Sequence, residues 1–275
     1  MTEVQCQPFL RWAGSKRKLL HKLAPYWNDQ YDRYIEPFVG SACLFFRIAP
    51  KKAILSDINQ ELISTYNAVS ASPRAVFNRL VKIQKGKRSY YRMRSISPVS
   101  LPNLDRAARF IFLNRFCFNG LYRTNLQGAF NVPFCPSRTG DLPNWSELWA
   151  AAKQLRNASL FCRDFGESVS LATRGDFVYL DPPYAVENRR VFREYGANCF
   201  GSDDLPRLNE LLQQIHTNGA HFVLSYADCS EARSNFRHWE TRRVFTHRNI
   251  AGFSRHRRRA VELLISNLKP VVGQS

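Results

Sequence analysis

Short apolar runs that end in polar residues recur along the chain, and their length and composition predict β-strands. Two of these runs, residues 34–36 and 53–57, end directly in an acidic residue. Between two later runs, leucines recur every three or four positions and predict one face of a helix that stops at Gly219. The alternation of strands and helices predicts an α/β fold with a mainly parallel sheet. The predicted strands are residues 34–36, 53–57, 160–165, 177–180, 221–225 and 261–266.

This alternation lapses between about residue 60 and residue 146. The apolar side chains at 62, 63, 66 and 69 predict one helix there, and residues 107–118 predict another with an aromatic face. Residues 114–125 and 128–133 then combine amides, an arginine and aromatic side chains on a turn-rich backbone. Such a surface can read base edges through Arg and Asn and can insert an aromatic ring between bases. The alternative is a loop that is packed by its own aromatic side chains.

Residues 176–184 read as a buried strand that ends in a polar and aromatic tip. Two consecutive prolines cannot continue a sheet because they lack N–H groups, so the backbone leaves the sheet at Asp181. The tip then presents the Asp181 carboxylate, the Pro182 carbonyl and the Tyr184 ring together. The two oxygens can accept hydrogen bonds from an exocyclic amino group, and the ring can stack on a flat heterocycle. The alternative is a strand terminator with a solvated aspartate and a packed tyrosine.

Three stretches in the first 60 residues suit a cofactor. The small-residue turn 13–15 precedes Lys16 and can hold an anion or a carboxylate on its N–H groups, although an ordinary basic loop has the same pattern. Residues 34–42 form a strand, a loop with Gly40 and the start of a helix, as Rossmann-like folds do, but they lack the dinucleotide fingerprint. Asp57 ends the second strand, where an acid commonly holds ribose hydroxyls or caps the following helix.

The charge of the chain favours a polyanionic partner. The 275 residues carry 40 Lys and Arg against 22 Asp and Glu, a formal net charge of +18. The basic residues are concentrated in two zones, 74–123 and 233–259, each of which contains a single acid. Two basic zones in a folded chain favour nucleic acid as the partner. An anionic membrane surface is the rival interpretation, but neither zone forms an amphipathic helix with a broad apolar face.

Composition narrows the classes of protein to which the chain can belong. Hydrophobic residues make up 44% of the chain, which is typical of a globular protein with either one large domain or one domain and an insertion. No apolar run approaches the length of a membrane span, and the first residues lack the features of a signal peptide, so we expect a cytoplasmic protein. The seven cysteines are far apart and include no C-x-x-C pair, which indicates neither a zinc ribbon nor a disulfide framework.

Six motifs in a fixed order carry a resemblance to a known family. They are FLRWAGSK (9–16), EPFVG (36–40), SDIN (56–59), NRFCFNGLYRTN (114–125), FNVP (130–133) and DPPY (181–184). Together they resemble the Dam-type DNA adenine methyltransferases over roughly residues 8–268. The resemblance implies a Rossmann-like fold that binds S-adenosyl-L-methionine, with a catalytic domain in residues 1–60 and 147–275. Residues 61–146 would be an inserted, mostly helical domain that recognises the DNA target.

The same resemblance implies roles for individual residues in the catalytic domain. Asp181, Pro182 and Tyr184 would hold a target adenine that has flipped out of duplex DNA, and its amino nitrogen would receive the methyl group. No metal is expected, because the methyl donor carries its own positively charged leaving group. The residues implied to bind the donor are Trp12, Lys16, Glu36, Phe38, Gly40, Asp57, Asp164, Phe165 and Asp181.

For the DNA, the resemblance implies Arg11 and Arg123 as readers of guanine, with Phe118 and Asn119 at the gap left by the flipped base. Because residues 114–125 resemble the corresponding segment of enzymes that read GATC, we expect GATC as the target site. The other implied DNA contacts are Leu121, Pro133, Arg255 and Arg257. We expect a monomer with no membrane partner, while roles in restriction–modification, replication timing, repair or a virus all stay open.

One position departs from the family pattern. The second glycine of the family's EPFxGxG motif is Ala42 here, and its Cβ is expected to crowd the donor slightly. Two other functions were weighed against DNA adenine methylation. One is methylation of adenine in RNA, which a choice between duplex DNA and RNA would distinguish. The other is a DNA-binding module that has lost catalysis, for which Ala42 is the only hint and against which the intact DPPY motif argues.

Overall fold

The computed structural model describes residues 6–125, 127–135, 140–184, 200–201, 203–247 and 259–268. Its centre is a seven-stranded sheet. From one edge to the other, the strand order is β3-β2-β1-β4-β5-β7-β6. The strands are β1 Tyr34–Glu36, β2 Ala53–Asp57, β3 Ala158–Cys162, β4 Phe177–Leu180, β5 His221–Ala227, β6 Glu240–His247 and β7 Arg259–Ser266.

Strands β1 to β5 are parallel, and β7 pairs antiparallel with both β5 and β6. The predicted mainly parallel α/β sheet is therefore confirmed. The strand order reverses between β1 and β4, which are neighbours in the sheet. In open α/β sheets, ligands bind outside the carboxyl ends of the strands at such a reversal. A ligand site is therefore expected among the residues that follow β1, β2 and β4.

Ten α-helices connect and cover these strands within the described ranges. They are α1 Leu20–Leu23, α2 Cys43–Ile48, α3 Gln60–Ala71, α4 Pro73–Val81, α5 Lys87–Ser95, α6 Asn103–Phe116, α7 Trp145–Leu155, α8 Phe165–Val169, α9 Asp204–Thr217 and α10 Ser230–Asn235. Helix α9 buries Leu205, Leu208 and Leu212 on one face, as the leucine spacing predicts.

The strands of the structure differ from the predicted ones at β3 and β6. The strand predicted for residues 160–165 is shorter at its end, because Asp164 leaves the sheet and caps α8 with a hydrogen bond to the Gly166 N–H. Strand β6 was not predicted, since its sequence is mostly polar and basic. An edge strand needs few apolar residues, and Val244 is the buried one that β6 contributes to the core.

The sheet separates two apolar clusters. Tyr34, Leu55 and Tyr179 point into one cluster, and Ile35 and Val178 point into the other. Adjacent residues on these strands therefore both face apolar neighbours, which explains why the central strands read as continuous apolar runs. Helices α3, α6 and α7 contribute to the first cluster, while α8 and α9 contribute to the second. The segment predicted as an insertion thus shares its core with the sheet.

Among the described residues, no helix is long and apolar enough to cross a membrane. In the same part of the chain, no group of three or more His, Cys, Asp or Glu side chains is placed to hold a metal ion.

Candidate active site

Three carboxylates stand at the carboxyl ends of three neighbouring strands. Glu36 is the last residue of β1, Asp57 is the last residue of β2, and Asp181 directly follows β4. Because β1 lies between β2 and β4, the parallel pairing brings these acids to one edge of the sheet. Residues that are far apart in the sequence therefore form one acidic site at the strand reversal.

Asp181 is held by two donors on different elements. The Lys16 ammonium lies 2.6 Å from Asp181 Oδ1, and the Ser225 hydroxyl donates to the same oxygen at 3.1 Å. Ser225 lies on β5, which neighbours β4, and its hydroxyl also contacts the Tyr179 hydroxyl at 3.1 Å. The Lys16 side chain is only 5% exposed and donates a further hydrogen bond to the Gly14 carbonyl at 3.0 Å. These contacts fix the orientation of the Asp181 carboxylate.

The electrostatics of this pair favour an ionised lysine. Burial lowers the pKa of Lys16, but the nearby Asp181, Tyr184 and Glu262 more than offset this and raise it above its ordinary value. Burial raises the pKa of Asp181, and the Lys16 ammonium opposes this rise. Asp181 is thus a partly desolvated carboxylate beside a permanent cation. Such a group is a strong hydrogen-bond acceptor for a neutral amine.

Tyr184 completes the tip that the sequence predicts. Its hydroxyl donates to Glu262 Oε2 at 3.0 Å, and its ring packs edge to face against Tyr226 at 5.0 Å between centroids. The Lys16 ammonium lies 4.9 Å from the centre of the Tyr184 ring. The structure therefore brings Asp181, Lys16 and Tyr184 together. Pro182 between them is buried.

Sequence reasoning missed Ser225 and Glu262. Both are buried polar residues within apolar strands, Ser225 in β5 and Glu262 in β7. A polar side chain in a buried strand is costly without a hydrogen-bond partner. That cost is the signal in the sequence that could have identified both residues.

Asp57 is held by backbone N–H groups from two loops. It accepts hydrogen bonds from Gly40 N at 3.1 Å and from Asn59 N at 3.0 Å. The alternative role as the cap of α3 is wrong, because Asn59 caps that helix through its hydrogen bond from Leu62 N. Burial raises the pKa of Asp57 to about 6, although these backbone hydrogen bonds lower it.

Glu36 is the most buried of the three acids. It accepts a hydrogen bond from the Tyr34 hydroxyl at 3.0 Å. Burial raises the pKa of Glu36 well above its usual range, and the neighbouring Asp181 and Asp57 raise it further. Carboxylates clustered in this way suit a ligand with positive charge and hydroxyl donors, because such a ligand stabilises their ionised forms.

Gly40 lies where only a glycine fits. Its φ is +44°, and a Cβ at this position would stand 2.8 Å from Cδ1 of Trp12. The loop therefore passes directly beneath the Trp12 ring, and the Tyr66 hydroxyl fixes it through the Gly40 carbonyl at 2.7 Å. Ala42 also has a left-handed backbone, with φ at +54°, and is fully buried in the first apolar cluster. The departure at Ala42 thus adds local backbone strain.

Phe38, Asp164 and Phe165 come together beyond β1 and β3. The Phe38 and Phe165 rings are stacked at 5.1 Å, and the Phe200 ring packs edge to face against both. Arg207 on α9 pairs with the Asp164 carboxylate and lies 4.4 Å from the centre of the Phe165 ring. This corner thus combines aromatic surface with a carboxylate.

Arg11 is anchored by the last turns of α6. Asn114 Oδ1 accepts from Arg11 N at 2.8 Å, and Asn114 Nδ2 donates to the Arg11 carbonyl at 2.7 Å. The Arg11 guanidinium donates to the Arg115 carbonyl at 3.0 Å. Gly120 packs against Arg11 so closely that a Cβ there would stand 2.6 Å from Arg11 Cβ. The first motif and the NRFCFNG motif therefore form one unit.

Residues 121–125 and 127–133 form a hairpin beside this unit. Thr124 and Phe130 are bridged antiparallel, and Asn131 N donates to the Arg123 carbonyl at 3.0 Å. The Arg123 side chain also donates to Asn131 Oδ1 at 2.7 Å, which orients its guanidinium. In this segment Leu121 is half-buried and Pro133 is exposed.

The aromatic residues of this segment divide into two groups. Tyr122 packs between Phe110 and Phe130 and stacks on Trp12 at 6.2 Å. Phe118, by contrast, is 38% exposed, and the exposed Asn119 beside it has φ at +55°. The hairpin is thus packed by some of its own aromatics and still presents one ring to the solvent. Arg255 and Arg257, which were predicted to contact DNA, lie outside the described residues.

Comparisons with known proteins find similarity to DNA methyltransferases. The model of the D12 class N6 adenine-specific DNA methyltransferase family matches residues 12–250. The chain is similar to the type II methyltransferase M1.LlaDCHI of Lactococcus lactis subsp. cremoris, with 30% identity over 96% of each chain. It is 32% identical to the type II methyltransferase M.MjaIII of Methanocaldococcus jannaschii over 81% of this chain and 84% of that one. It is also 31% identical to the DNA adenine methylase of Escherichia coli K12 over 93% of each chain.

Proposed function

The chain belongs to the D12 class N6 adenine-specific DNA methyltransferase family, and from this premise we propose that it methylates the adenine of GATC after flipping that base into a pocket formed by Asp181, Pro182 and Tyr184. Members of this family transfer a methyl group from S-adenosyl-L-methionine to adenine in DNA. The observation that carries the finer proposal is the Asp181 carboxylate, held by Lys16 and Ser225 beside the Tyr184 ring at the strand reversal.

The acids at the strand ends fit the methyl donor. S-Adenosyl-L-methionine supplies a methyl group on a positively charged sulfur, which leaves as a neutral thioether. Asp57 accepts hydrogen bonds from the ribose hydroxyls, and Glu36 faces the amino-acid end of the donor. The loop at Gly40 leaves room for close approach of the donor, since Trp12 lies against it. Phe38, Asp164 and Phe165 border the adenine of the donor, while Trp12 and Lys16 line the remaining side.

Asp181 and the Pro182 carbonyl activate the target amine. Both accept hydrogen bonds from the amino hydrogens of the adenine, which draws the nitrogen lone pair out of conjugation with the ring. Tyr184 stacks on the base and offsets part of the unstacking cost of a few kcal/mol. As the nitrogen bonds to the methyl carbon, the bond from that carbon to sulfur would break and its electron pair would stay on the neutral thioether. The nitrogen then loses a proton to the Asp181 carboxylate that accepts its hydrogen bond. Catalysis is therefore mainly positioning and polarisation.

The hairpin and the anchored Arg11 recognise the site. Arg11 and Arg123 read the guanines, with Leu121 and Pro133 as further base contacts. Phe118 and Asn119 fill the gap left by the flipped adenine, and the exposure of both residues supports this role. We assign this recognition to the inserted residues 61–146. Its basic helices α4 and α5 supply further contacts to phosphates.

Replacing Arg123 with alanine should relax sequence discrimination. A bidentate contact between arginine and guanine contributes about 1–3 kcal/mol of discrimination, so a site with the wrong base should gain about 10- to 100-fold relative to GATC. The ratio of kcat/KM for duplexes that differ only in one guanine measures this change. As a control, Arg88→Ala removes an exposed arginine of α5 and should affect both duplexes alike. Unchanged discrimination in Arg123→Ala would rule out guanine reading by this residue.

Donor affinity should depend on pH through Asp57. The ribose hydroxyls bind the ionised carboxylate, and burial raises the pKa of Asp57 to about 6. The affinity for S-adenosyl-L-methionine should therefore be constant well above pH 6. It should fall as the pH drops through 6, by up to about tenfold per pH unit. Titration calorimetry between pH 5 and 8 measures this profile. Asp57→Asn should bind more weakly and lose the inflection near 6, while any contribution from Glu36 persists. An inflection near pH 6 of unchanged size in Asp57→Asn would contradict the assignment.

The test of the proposed function is methyl transfer from labelled S-adenosyl-L-methionine to two duplexes, one with GATC and one with GTAC. Label on the adenine of the first duplex alone supports both the reaction and the site. Label on both duplexes keeps the reaction and overturns GATC. A single-stranded RNA of the same sequence serves as the third substrate. Preferential labelling of that RNA would identify RNA, and not DNA, as the substrate. Replacement of the target adenine by 2-aminopurine tests base flipping, because unstacking raises its fluorescence.

A further inference from the structure

We infer that Glu262 is a positioning residue for methyl transfer, which fixes the Tyr184 ring and shares the Lys16 ammonium with Asp181. The inference rests on the proposed target pocket, because Tyr184 and Asp181 are its walls. Glu262 lies on β7, far from the six motifs in the sequence, and pairs with Ala227 of β5 and Val244 of β6.

The location of Glu262 argues for a role beyond packing. Its neighbours in β7 are Val261 and Leu263, and only 3% of Glu262 is exposed. A carboxylate in such a strand loses much of its hydration, and a hydrophobic residue of similar size is often as stabilising or more so. The strand itself therefore gives no reason for a glutamate at this position. The reason lies in what the carboxylate contacts.

Glu262 Oε2 meets two parts of the target pocket. It accepts a hydrogen bond from the Tyr184 hydroxyl at 3.0 Å, and the Lys16 ammonium lies 3.9 Å away. The Tyr184 ring is thus held at its hydroxyl end by Glu262 and packs edge to face against Tyr226. The other end of the tyrosine is fixed by the two prolines that precede it. A ring held at three points is a preorganised surface on which a base can stack.

The second contact sets the charge around Asp181. Lys16 stands 2.6 Å from Asp181 and 3.9 Å from Glu262, so a single buried cation faces two carboxylates. With Glu262 present, the lysine charge is shared, and Asp181 keeps more of its capacity to accept a hydrogen bond from the adenine amine. Without Glu262, Lys16 pairs with Asp181 alone and weakens it as an acceptor. Both contacts of Glu262 therefore act mainly on the rate of transfer. Donor binding should change little, because Lys16 keeps its hydrogen bonds to Asp181 and to the Gly14 carbonyl.

The experiment compares Glu262→Gln, Glu262→Ala and Tyr184→Phe with the wild-type enzyme on a GATC duplex. Glu262→Gln keeps an acceptor for the tyrosine hydroxyl and loses only the charge, whereas Glu262→Ala loses both. We expect single-turnover rates to fall about 10-fold in Glu262→Gln and on the order of 100-fold in Glu262→Ala, as small misplacements of reacting groups do. Affinity for S-adenosyl-L-methionine should stay within about threefold. Glu240→Gln on β6 is the matched control, because Glu240 is exposed.

Two further readouts separate positioning from a structural role. Fluorescence of 2-aminopurine at the target position should be altered in Glu262→Ala and in Tyr184→Phe, since both free the ring. The losses in the double variant of Tyr184→Phe with Glu262→Ala should not multiply, because the two groups share one hydrogen bond. Thermal unfolding checks the fold, and Glu262→Gln conserves volume if Glu262→Ala does not fold.

The outcomes distinguish this inference from the proposed function. If the wild-type enzyme is active and both Glu262 variants transfer methyl groups at the wild-type rate, the inference is overturned and the proposed function stands. Multiplying losses in the double variant would also overturn it, since the residues would then act independently. If the wild-type enzyme transferred no methyl group to adenine in any duplex, the proposed function would fail first, and the inference would fall with it.

Discussion

Replacing Asp181 with asparagine is expected to lower the rate of methyl transfer by on the order of 100- to 1,000-fold, the loss typical of a removed electrostatic contact to a reacting group. An asparagine amide presents hydrogen-bond donors where the target amine also presents donors. It also removes the negative charge that holds Lys16 at 2.6 Å. Single-turnover transfer to a GATC duplex measures the rate. The affinity for DNA, measured separately, should change little because the hairpin that we propose to recognise DNA lies elsewhere in the chain.

Asparagine is preferred to alanine at this position for a structural reason. Removing one partner of a buried ion pair commonly costs about 3–5 kcal/mol of stability. Alanine would leave Glu262, 3.9 Å away, as the nearest carboxylate to Lys16 among the described residues. Asparagine keeps the volume and one acceptor oxygen. Asp203→Asn on the exposed surface is the matched control and should retain full activity. A rate above a tenth of the wild-type value in Asp181→Asn would sink the assigned role.

Replacing Asp176 with alanine should instead cost stability, by about 3 kcal/mol. Asp176 is fully buried at the start of β4 and accepts from Arg33 Nη2 at 2.6 Å and Arg33 Nε at 2.9 Å. It also accepts from the backbone N–H and the hydroxyl of Thr173. The expected loss lies at the lower end of the range because the Arg33 side chain is 33% exposed and can reach water.

Urea unfolding measures the free energy of the Asp176 variants. Asp176→Asn should lose less than Asp176→Ala, since its amide oxygen can still accept from the Thr173 N–H. The transfer rate of the folded fraction should be close to wild type in both, because Asp176 lies at the opposite end of β4 from Asp181. A loss of less than 1 kcal/mol in Asp176→Ala, or a loss of activity without a loss of stability, would contradict the structural role.

These two aspartates show how far the sequence reaches. Both flank the same apolar run, and hydrophobic periodicity treats them alike. The two prolines after Asp181 and the motif order single it out as the candidate for a functional role. The partners of both carboxylates were beyond prediction: Arg33 lies 143 residues before Asp176, and Lys16 lies 165 residues before Asp181. Such pairings depend on which strand ends meet in space.

Lys16 and Glu262 illustrate the same limit. The resemblance implied that Lys16 contacts the methyl donor, which stays a proposal, and the structure shows its ammonium on Asp181. Glu262 carried no motif at all. Its meaning emerges because β7 inserts antiparallel between β5 and β6, which places residue 262 beside the DPPY tip. Strand order of this kind is not encoded in the pattern of a single strand.

The sequence by itself determined the elements and the family. Local apolar runs specify most of the strands, since burial of a strand depends on its own residues, and acids and glycines at the strand ends specify where a ligand can bind. The order of six motifs specified the reaction class. Only the tertiary structure decided that three acids converge at the strand reversal, that Asn114 anchors Arg11, and that one lysine serves Asp181 and Glu262. The physical reason is that hydrogen bonds and ion pairs act over a few ångströms in space, and the fold alone sets which distant residues come that close.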